Sequence, residues 1–381
     1  MTDTERKKIG ELIEREPALI RLREAAGSTP CYLVGGSVRD LLLGYQELDL
    51  DIAVEGPVAD LALELDPDAV LHGRFDTAVI QVEGRGIDLA RTRSERYPRP
   101  GALPEVQPAG IERDLERRDF TINALAVPLN EPNNLLDPCG GIADLERAIV
   151  RVIHSKSFSD DPTRALRAAR YCARLGFSLE AGTADLLPQA DLNTISRERL
   201  HSELKLIADE SPVAAVTALR LAAAWGILGL DESQINLLSG AFGLLALDPW
   251  KGFCSRGDVL LAIAGRGSEW KTEVGTDYPG TPSRASRVAR KLDPVSLLLL
   301  RAAGAKWLDS WMSDWRFVSL EVTGDDLIAS GIPPGVAVGA GLDAALNEAL
   351  DEGIRDRKEQ LATALAAARG LHDQGGRGKG M

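Results

Sequence analysis

The feature that most constrains the fold is a change of hydrophobic period near residue 140. From about 28 to 140, short β runs (CYLV, LDLDIAV, TAVIQV and GIDLA) are separated by glycine and by short helical stretches at 38–43 and 58–65. This predicts an α/β unit. From about 141 the strand signals fade. Ala/Leu/Arg-rich runs such as TRALRAARYCARLGF and RERLHSELKLIADE predict helices to the end of the chain. Residues 1–27 predict a single polar helix, with Ile9, Leu12, Ile13 and Ile20 packed inward. The Gly- and Ser-bearing stretch 266–286 predicts a linker or long loop, GIPPG (331–335) a turn, and the final 375–381 a disordered end. A length of 381 residues suits two to four domains, and there is no internal repeat.

Charge and cysteine usage exclude whole classes. The net charge of −13 argues against a general nucleic-acid coat protein, and 5% aromatics argue against broad base-stacking surfaces. The four cysteines stand far apart with no C-x-x-C pair, and the four histidines form no H-x-x-x-H pair. A zinc site or a disulfide framework is not expected, and a reducing cytosol fits. The charged start lacks the apolar core of a signal peptide. No apolar run is long enough to span a membrane, the best stretches being broken by Arg220 and Arg301. A soluble cytoplasmic protein is expected.

Two constellations carry chemistry. In CYLVGGSVRDLLLG a strand meets Gly35-Gly36 and then a helix. Ser37 is expected to cap that helix, with Asp40 completing the capping box and Gly44 ending it. Glycines let backbone approach a ligand, and a helix start offers N–H groups to phosphate, although an isolated Gly-Gly also makes a ligand-free turn. Just downstream, LDLDIAV places Asp49 and Asp51 on one face of a strand and Leu48, Leu50 and Ile52 on the other. Two such carboxylates repel unless a cation lies between them. Magnesium, with its preference for oxygen ligands and phosphate bridges, resolves this. Asp88 is a possible third carboxylate on the same sheet.

The second constellation is cationic. ERDLERRDFTINALA carries Arg113, Arg117, Arg118 and Asp119, a fork of donors for phosphate beside an acceptor for a ribose hydroxyl. In SDDPTRALRAARYCARLGF, Asp161-Pro162 starts a helix along which Arg164, Arg167, Arg170 and Arg174 make one stripe. A solvated arginine face normally carries Glu at i±4, and this helix has none after Asp161. Anion or nucleotide binding is therefore expected there.

Taken in order, GGSVRDLLLG with DLD, RRDFTINALA, DDPTRALRAARY and SRERLHSEL resemble the motifs of class II tRNA nucleotidyltransferases, the bacterial CCA-adding enzymes and their poly(A) polymerase relatives. The resemblance covers Tyr32 to about Leu206. GDDLIASGIPPGVAVG followed by RDRKEQL adds a likeness at the C-terminal end. It implies an α/β, polymerase-β-like palm as an N-terminal nucleotidyltransferase head, followed by an all-α neck, body and tail. The implied boundaries are 1–27 for the N-terminal helix, 28–140 for the head, 141–210 for a neck that recognises the base, 211–280 for the body and 281–374 for a tRNA-binding tail. Asp49 and Asp51 would be catalytic and hold Mg2+. Gly36, Arg39 and Arg118, with Gly35 in the same turn, would bind the nucleotide, and Asp119 would sit near its ribose. Asp161 and Arg164 would read the base edge, supported by Arg167 and Arg170. Residues 91–106 resemble a mobile loop, and 196–200 a buttress for the base reader. The family's neck motif usually begins Glu-Asp, where this chain has Asp160-Asp161.

The implied function is template-independent addition of C and A to the tRNA 3′ end from CTP and ATP, with release of pyrophosphate and with neither DNA nor a membrane as partner. The alternatives are a CC-only or A-only enzyme, a poly(A) polymerase, a catalytically silent RNA-binding homologue, or a nucleotide transferase acting on small molecules. The intact Asp49–Asp51 pair argues against the silent homologue. The roughly 200 residues beyond the head argue against a small-molecule enzyme.

Overall fold

The computed structural model describes residues 3–45, 49–73, 75–265, 270 and 274–376, with side chains from Ile9 to Gly370. Leu48 and the end beyond 376, both part of the expectations above, lie outside them. The chain divides into two units, 1–229 and 230–381.

The first unit opens with α1 (Asp3–Arg15) and α2 (Pro17–Ala26), where a single helix is expected from sequence. Pro17 has no N–H to continue α1 and starts a new helix at its first position. Then follow β1 (Cys31–Val34), α3 (Gly36–Leu42), β2 (Leu50–Val54), α4 (Ala59–Leu65), β3 (Val70–His72), β4 (Thr77–Val82), β5 (Arg85–Arg91), β6 (Arg93–Arg96), β7 (Glu105–Pro108), α5 (Ile111–Glu116) and β8 (Ala126–Pro128). Six strands form a mixed sheet ordered β3-β4-β5-β2-β1-β8, in which β2 and β5 run parallel with Asp51 opposite Asp88.

Alternation decides what each face does. Leu33, Leu50, Ile52, Ile80 and Leu89 point to one side and bury against Ile9, Ile13, Leu19 and Leu22 of the two N-terminal helices. On the other side Ala53 and Val34 pack under Ile111 and Leu115 of α5. Asp51 shares that second side with Ala53, two residues along β2. The sheet is thus sealed on one face and partly open on the other, at the point where the D-x-D aspartates emerge.

The stretch expected as a mobile loop contains the antiparallel pair β6–β7. Beyond it come α6 (Gly141–Glu146), β9 (Ile149–Val150), α7 (Ser157–Asp160), α8 (Thr163–Leu175), β10 (Ser178–Leu179), α9 (Ala181–Ala184), α10 (Arg197–Asp209) and α11 (Pro212–Ala224). The short parallel pair β9–β10 interrupts the expected run of helices. Helix α11 packs on α8 and so belongs with the first unit, although the implied neck ends at residue 210.

The second unit holds α12 (Glu232–Leu244), α13 (Arg256–Ala264), α14 (Pro282–Ala289), α15 (Pro294–Ala302), α16 (Trp307–Ser313), α17 (Gly324–Ala329), α18 (Val336–Asp351) and α19 (Arg357–Gly376). Helix α14 takes over the end of the stretch expected to be a linker, because Thr281 caps it and Pro282 starts it. Asp351 at the end of α18 accepts from the Ser283 N–H at 2.7 Å and its hydroxyl at 2.8 Å, tying α18 to α14.

Close approach fixes one glycine in the first unit. A Cβ on Gly141 would be driven into the carbonyl of Thr121, which is backbone and cannot swing away. Gly141→Ala should therefore lower stability by about 1–3 kcal/mol, the usual cost of overpacking. Urea unfolding should show a lower midpoint with an unchanged slope.

Candidate active site

The open side of the sheet and the start of α8 enclose a cavity of about 600 Å³. Gly36, Arg39, Asp49, Asp51, Arg118, Asp119, Asp161, Arg164 and Arg167 all lie on its wall. Gly35 and Arg170 do not. Eight arginines and six carboxylates share this wall, in a chain whose overall charge is −13.

The glycine turn is built differently from the expected cap. The helix α3 begins at Gly36, and Ser37 does not cap it. Its buried hydroxyl donates to the Asp49 carbonyl at 2.6 Å and accepts from the Asp51 N–H at 2.9 Å, so it straps the first turn of α3 to the D-x-D backbone. Asp40 likewise leaves the capping role and accepts from Arg39 Nε at 2.8 Å and Arg174 at 3.1 Å. Gly44 does end the helix, at φ 85°. Gly35 has φ 64°, and a Cβ there would come within 2.5 Å of an Arg118 guanidinium nitrogen. Its contribution is to make room for that arginine.

Asp51 is largely buried. That burial, then the charges of Asp88 and Asp49, raise its carboxyl from 3.8 to about 6, against the opposing pull of Arg118 and Arg39. Burial and then Asp49 also raise Asp88. No hydrogen-bond donor reaches the Asp49 or Asp51 carboxylate among the described residues. Hard oxygen donors that repel each other and lack partners fit a divalent cation. No group of three or more His, Cys, Asp or Glu gathers as a metal cage among the described residues.

Two arginines share the wall with these carboxylates. Arg118 bonds Asp114 at 3.0 Å, and its Nε is buried with no partner. Arg39 is buried, donates to Asn123 Oδ1 at 2.5 Å and stacks on Tyr171 at 5.1 Å. Asn123 Nδ2 donates in turn to Asp119 at 2.9 Å. Burial alone would raise Asp119; Arg167, Asn123 and Arg164 overcome it and hold the carboxyl down to about 2. Arg167 bonds Asp119 through Nε at 2.8 Å and Nη2 at 2.6 Å.

At the start of α8, Asp161 accepts from the N–H and hydroxyl of Thr163 at 3.0 and 2.7 Å and from Arg199 at 2.7 Å. Arg199 also donates to the Gly101 carbonyl at 2.9 Å, so one guanidinium joins α10, the β6–β7 connection and Asp161. Arg164 is buried and donates to Ser157 at 2.7 Å and to the Arg117 carbonyl at 2.9 Å.

The remaining arginines of the α8 stripe are balanced from other elements. Arg170 pairs with Glu210 at 3.3 Å and stacks on Tyr171 at 5.0 Å, away from the cavity wall. Arg174 pairs with Asp40. Sequence reasoning passed over Ser37, Asn123, Tyr171 and Arg199 as site residues. Arg199 alone had a signal, since it lies within the SRERL buttress motif.

In the second unit, the arginines after the GIPPG turn are already engaged. Arg357 pairs with Asp326 at 2.6 Å, and Arg355 donates to the Ala349 carbonyl at 2.5 Å. Between α14 and α18 a separate cavity of about 320 Å³ is lined by Arg287, Arg290, Lys291 and Asp343, and by Ser286, whose buried hydroxyl has no partner.

Residues 31–151 match the family model for the poly(A) polymerase head domain. A CC-adding tRNA nucleotidyltransferase from Deinococcus radiodurans is 35% identical over 92% of this chain and 92% of its own length. An A-adding tRNA nucleotidyltransferase from Aquifex aeolicus is 45% identical over 46% of this chain. This chain spans only about a fifth of the length of that relative and of a similar one from Geobacter sulfurreducens, 22% and 23%. Among solved structures, a Thermotoga maritima CCA-adding enzyme complexed with tRNA superposes with TM-score 0.73 and 28% identity, covering 94% of this chain and 98% of that one. CCA-adding enzymes complexed with ATP and with CTP superpose at 0.75 and 0.72. No described helix is long and apolar enough to cross a membrane.

The raised Asp51 carboxyl sets a pH signature. Its stabilising protonated form is fully present below about 4 and lost as pH rises through about 6, so the metal-free protein loses at most about 3 kcal/mol over that window. Asp51→Asn should abolish this loss. Divalent metal at pH 7.5 should raise the melting temperature of the wild type and leave Asp51→Asn unmoved.

Proposed function

The chain belongs to the class II tRNA nucleotidyltransferases, and from that premise we propose that it adds C and A residues to the 3′ end of tRNA from CTP and ATP, releasing pyrophosphate. The observation that carries the proposal is a single cavity wall bearing the D-x-D pair, the buried arginines and the Asp161–Arg164 helix start together. This wall can hold a metal, a triphosphate and a base edge at once.

Asp49 and Asp51 would hold the divalent ion that the family uses, which we take to be Mg2+. When bound it supplies charge neutralisation to the attacking 3′ hydroxyl and the leaving pyrophosphate. The protein's own residues do the orienting. Gly36 would let the α3 start approach the phosphates, where Arg39 and Arg118 on the cavity wall would donate. Asp119 would face the ribose, with Arg167 behind it. Asp161 and Arg164 would meet the pairing edge of the base, both braced: Asp161 by Arg199, Arg164 by Ser157. Arg170 would act at one remove, through Tyr171. The same reading puts the protein in the cytoplasm, with its tRNA, CTP and ATP.

The Deinococcus radiodurans relative supports a second reading, addition of CC alone. Extension of tRNAs ending at the discriminator base, at C and at CC, with CTP and ATP offered separately and together, separates the two. A complete enzyme finishes CCA. A CC-only enzyme stops at CC whether or not ATP is present. No incorporation on any substrate would overturn both.

Three variants test the assignments. Asp49→Ala or Asp51→Ala should reduce incorporation by at least about a hundredfold, a loss of roughly 3 kcal/mol in transition-state stabilisation, while tRNA binding persists. For the second unit, the α14–α18 cavity offers cations where Arg355 and Arg357 are engaged. Arg290→Gln with Lys291→Gln should weaken tRNA affinity and make its log–log salt dependence shallower by about 1–2, while CTP affinity holds. An unchanged salt slope in a folded variant would remove this groove as a phosphate contact.

A further inference from the structure

Asp119 is crowded by its own donors. Its Oδ1 takes the Phe120 N–H at 2.8 Å and the Asn123 amide at 2.9 Å. Its Oδ2 takes Arg167 Nε at 2.8 Å, and Nη2 of the same guanidinium stands 2.6 Å from that oxygen. Oδ1 thus has both its acceptor positions filled, and the Arg167 guanidinium covers Oδ2. Yet Asp119 lies on the cavity wall, and the function proposed here gives it a ribose hydroxyl. That hydroxyl can reach Oδ2 only if the guanidinium covering it gives way.

The Phe120 N–H is backbone, and Asn123 is held from the far side by Arg39 at 2.5 Å. Arg167 is the one donor on a long side chain, and it too lies on the wall. A second acid is waiting for it. Glu203 of α10 has Oε1 3.8 Å from Arg167 Nη1, and its Oε2 is buried with no hydrogen-bond partner. On the next turn of α8 the Arg170 Nε is also buried and unmet. Burial raises the Glu203 carboxyl, against the opposing charges of Arg167 and Arg170. A buried carboxylate oxygen without a donor is a strained arrangement that a shift of Arg167 would relieve.

We propose that Glu203 is a positioning residue that receives the Arg167 guanidinium when a ribonucleotide hydroxyl takes Oδ2 of Asp119. Arg167 is then passed between two carboxylates, to Glu203 when the nucleotide binds and back to Asp119 when it leaves. The proposal rests on Asp119 being the ribose contact. A deoxynucleotide lacks the 2′ hydroxyl that displaces Arg167, so the guanidinium stays on Asp119 and Glu203 stays unmet. Preference for ribonucleotides then belongs to the exchange among all three residues rather than to Asp119 alone.

The test is the ratio of kcat/KM for CTP and dCTP on a tRNA ending at the discriminator base. Glu203→Gln removes the receiving charge at nearly constant volume. The CTP value should fall roughly tenfold, the scale of one charge-assisted hydrogen bond, with dCTP little changed. Glu203→Asp keeps the charge and should restore part of the ratio. A Glu203→Gln enzyme with the wild-type ratio, including one in which both substrates fall equally, overturns the proposal. Should that variant fail to fold, the wild type still decides. The 15N resonance of Arg167 Nε, assigned through Arg167→Lys, should move on addition of CTP and stay with dCTP, and no CTP-specific movement overturns it. Asp119→Asn locates the fault. If it keeps the ratio, the ribose role of Asp119 falls. If it loses the ratio while Glu203→Gln keeps it, only the exchange with Glu203 falls.

Discussion

The ion pair between Asp119 and Arg167 joins the two halves of the site. Asp119 follows α5, the helix that covers the open side of the sheet, and Arg167 is on α8, which carries the Asp161–Arg164 start. Each half alone has an incomplete surface: the sheet ends in unpartnered aspartates, and the helix in a row of cations. With Asp119 buried, removing Arg167 would leave a desolvated charge, which costs about 3–5 kcal/mol. The pair also sets directions. Through Asn123 it fixes the direction of Arg39, and through α8 it fixes where Asp161 and Arg164 stand on the cavity wall.

The same cavity reconciles an acidic chain with polyanionic substrates. Overall charge describes solubility and long-range steering. What a ligand in the cavity meets is the local wall, where arginines outnumber acids. The aspartates there are placed against one another, so that metal-free Asp51 resists ionising and a cation relieves the conflict. Charge is therefore sorted by pairing inside the site: Asp40, Glu95, Asp119 and Asp161 each face an arginine, and among the described residues of the wall only Asp49 and Asp51 at the sheet do not.

Much of this was legible in the residues. Strand β4 alternates cleanly, and the observed strand coincides with TAVIQV. Asp49, Asp51 and the α8 stripe announced themselves by spacing and by the absence of local counter-charge. What could not be read was long-range. The acids that balance Arg167, Arg170 and Arg174 are Asp119, Glu203, Glu210 and Asp40, from elements distant in sequence, so a search at i±4 finds nothing. Ser37 has the composition of a helix cap, and only the arrival of β2 beside it diverts its hydroxyl to the Asp49 and Asp51 backbone. The β6–β7 pair has no apolar alternation to announce it, because both strands lie at the surface. Local propensity gave way in each case to a partner that only the fold supplies.

The balanced arginines bear on how the site empties. A pocket of bare cations would grip a triphosphate strongly and its pyrophosphate product just as strongly, so turnover would stall at departure. Here the guanidiniums of Arg167 and Arg174 each face a carboxylate of the protein. On the function proposed here, an incoming nucleotide must part those pairs, and their closing again favours its departure. The protein's own carboxylates thus act as a standing competitor for the bound nucleotide. On the proposed function, a site that must be cleared before each further addition is served by this arrangement, at the expense of affinity.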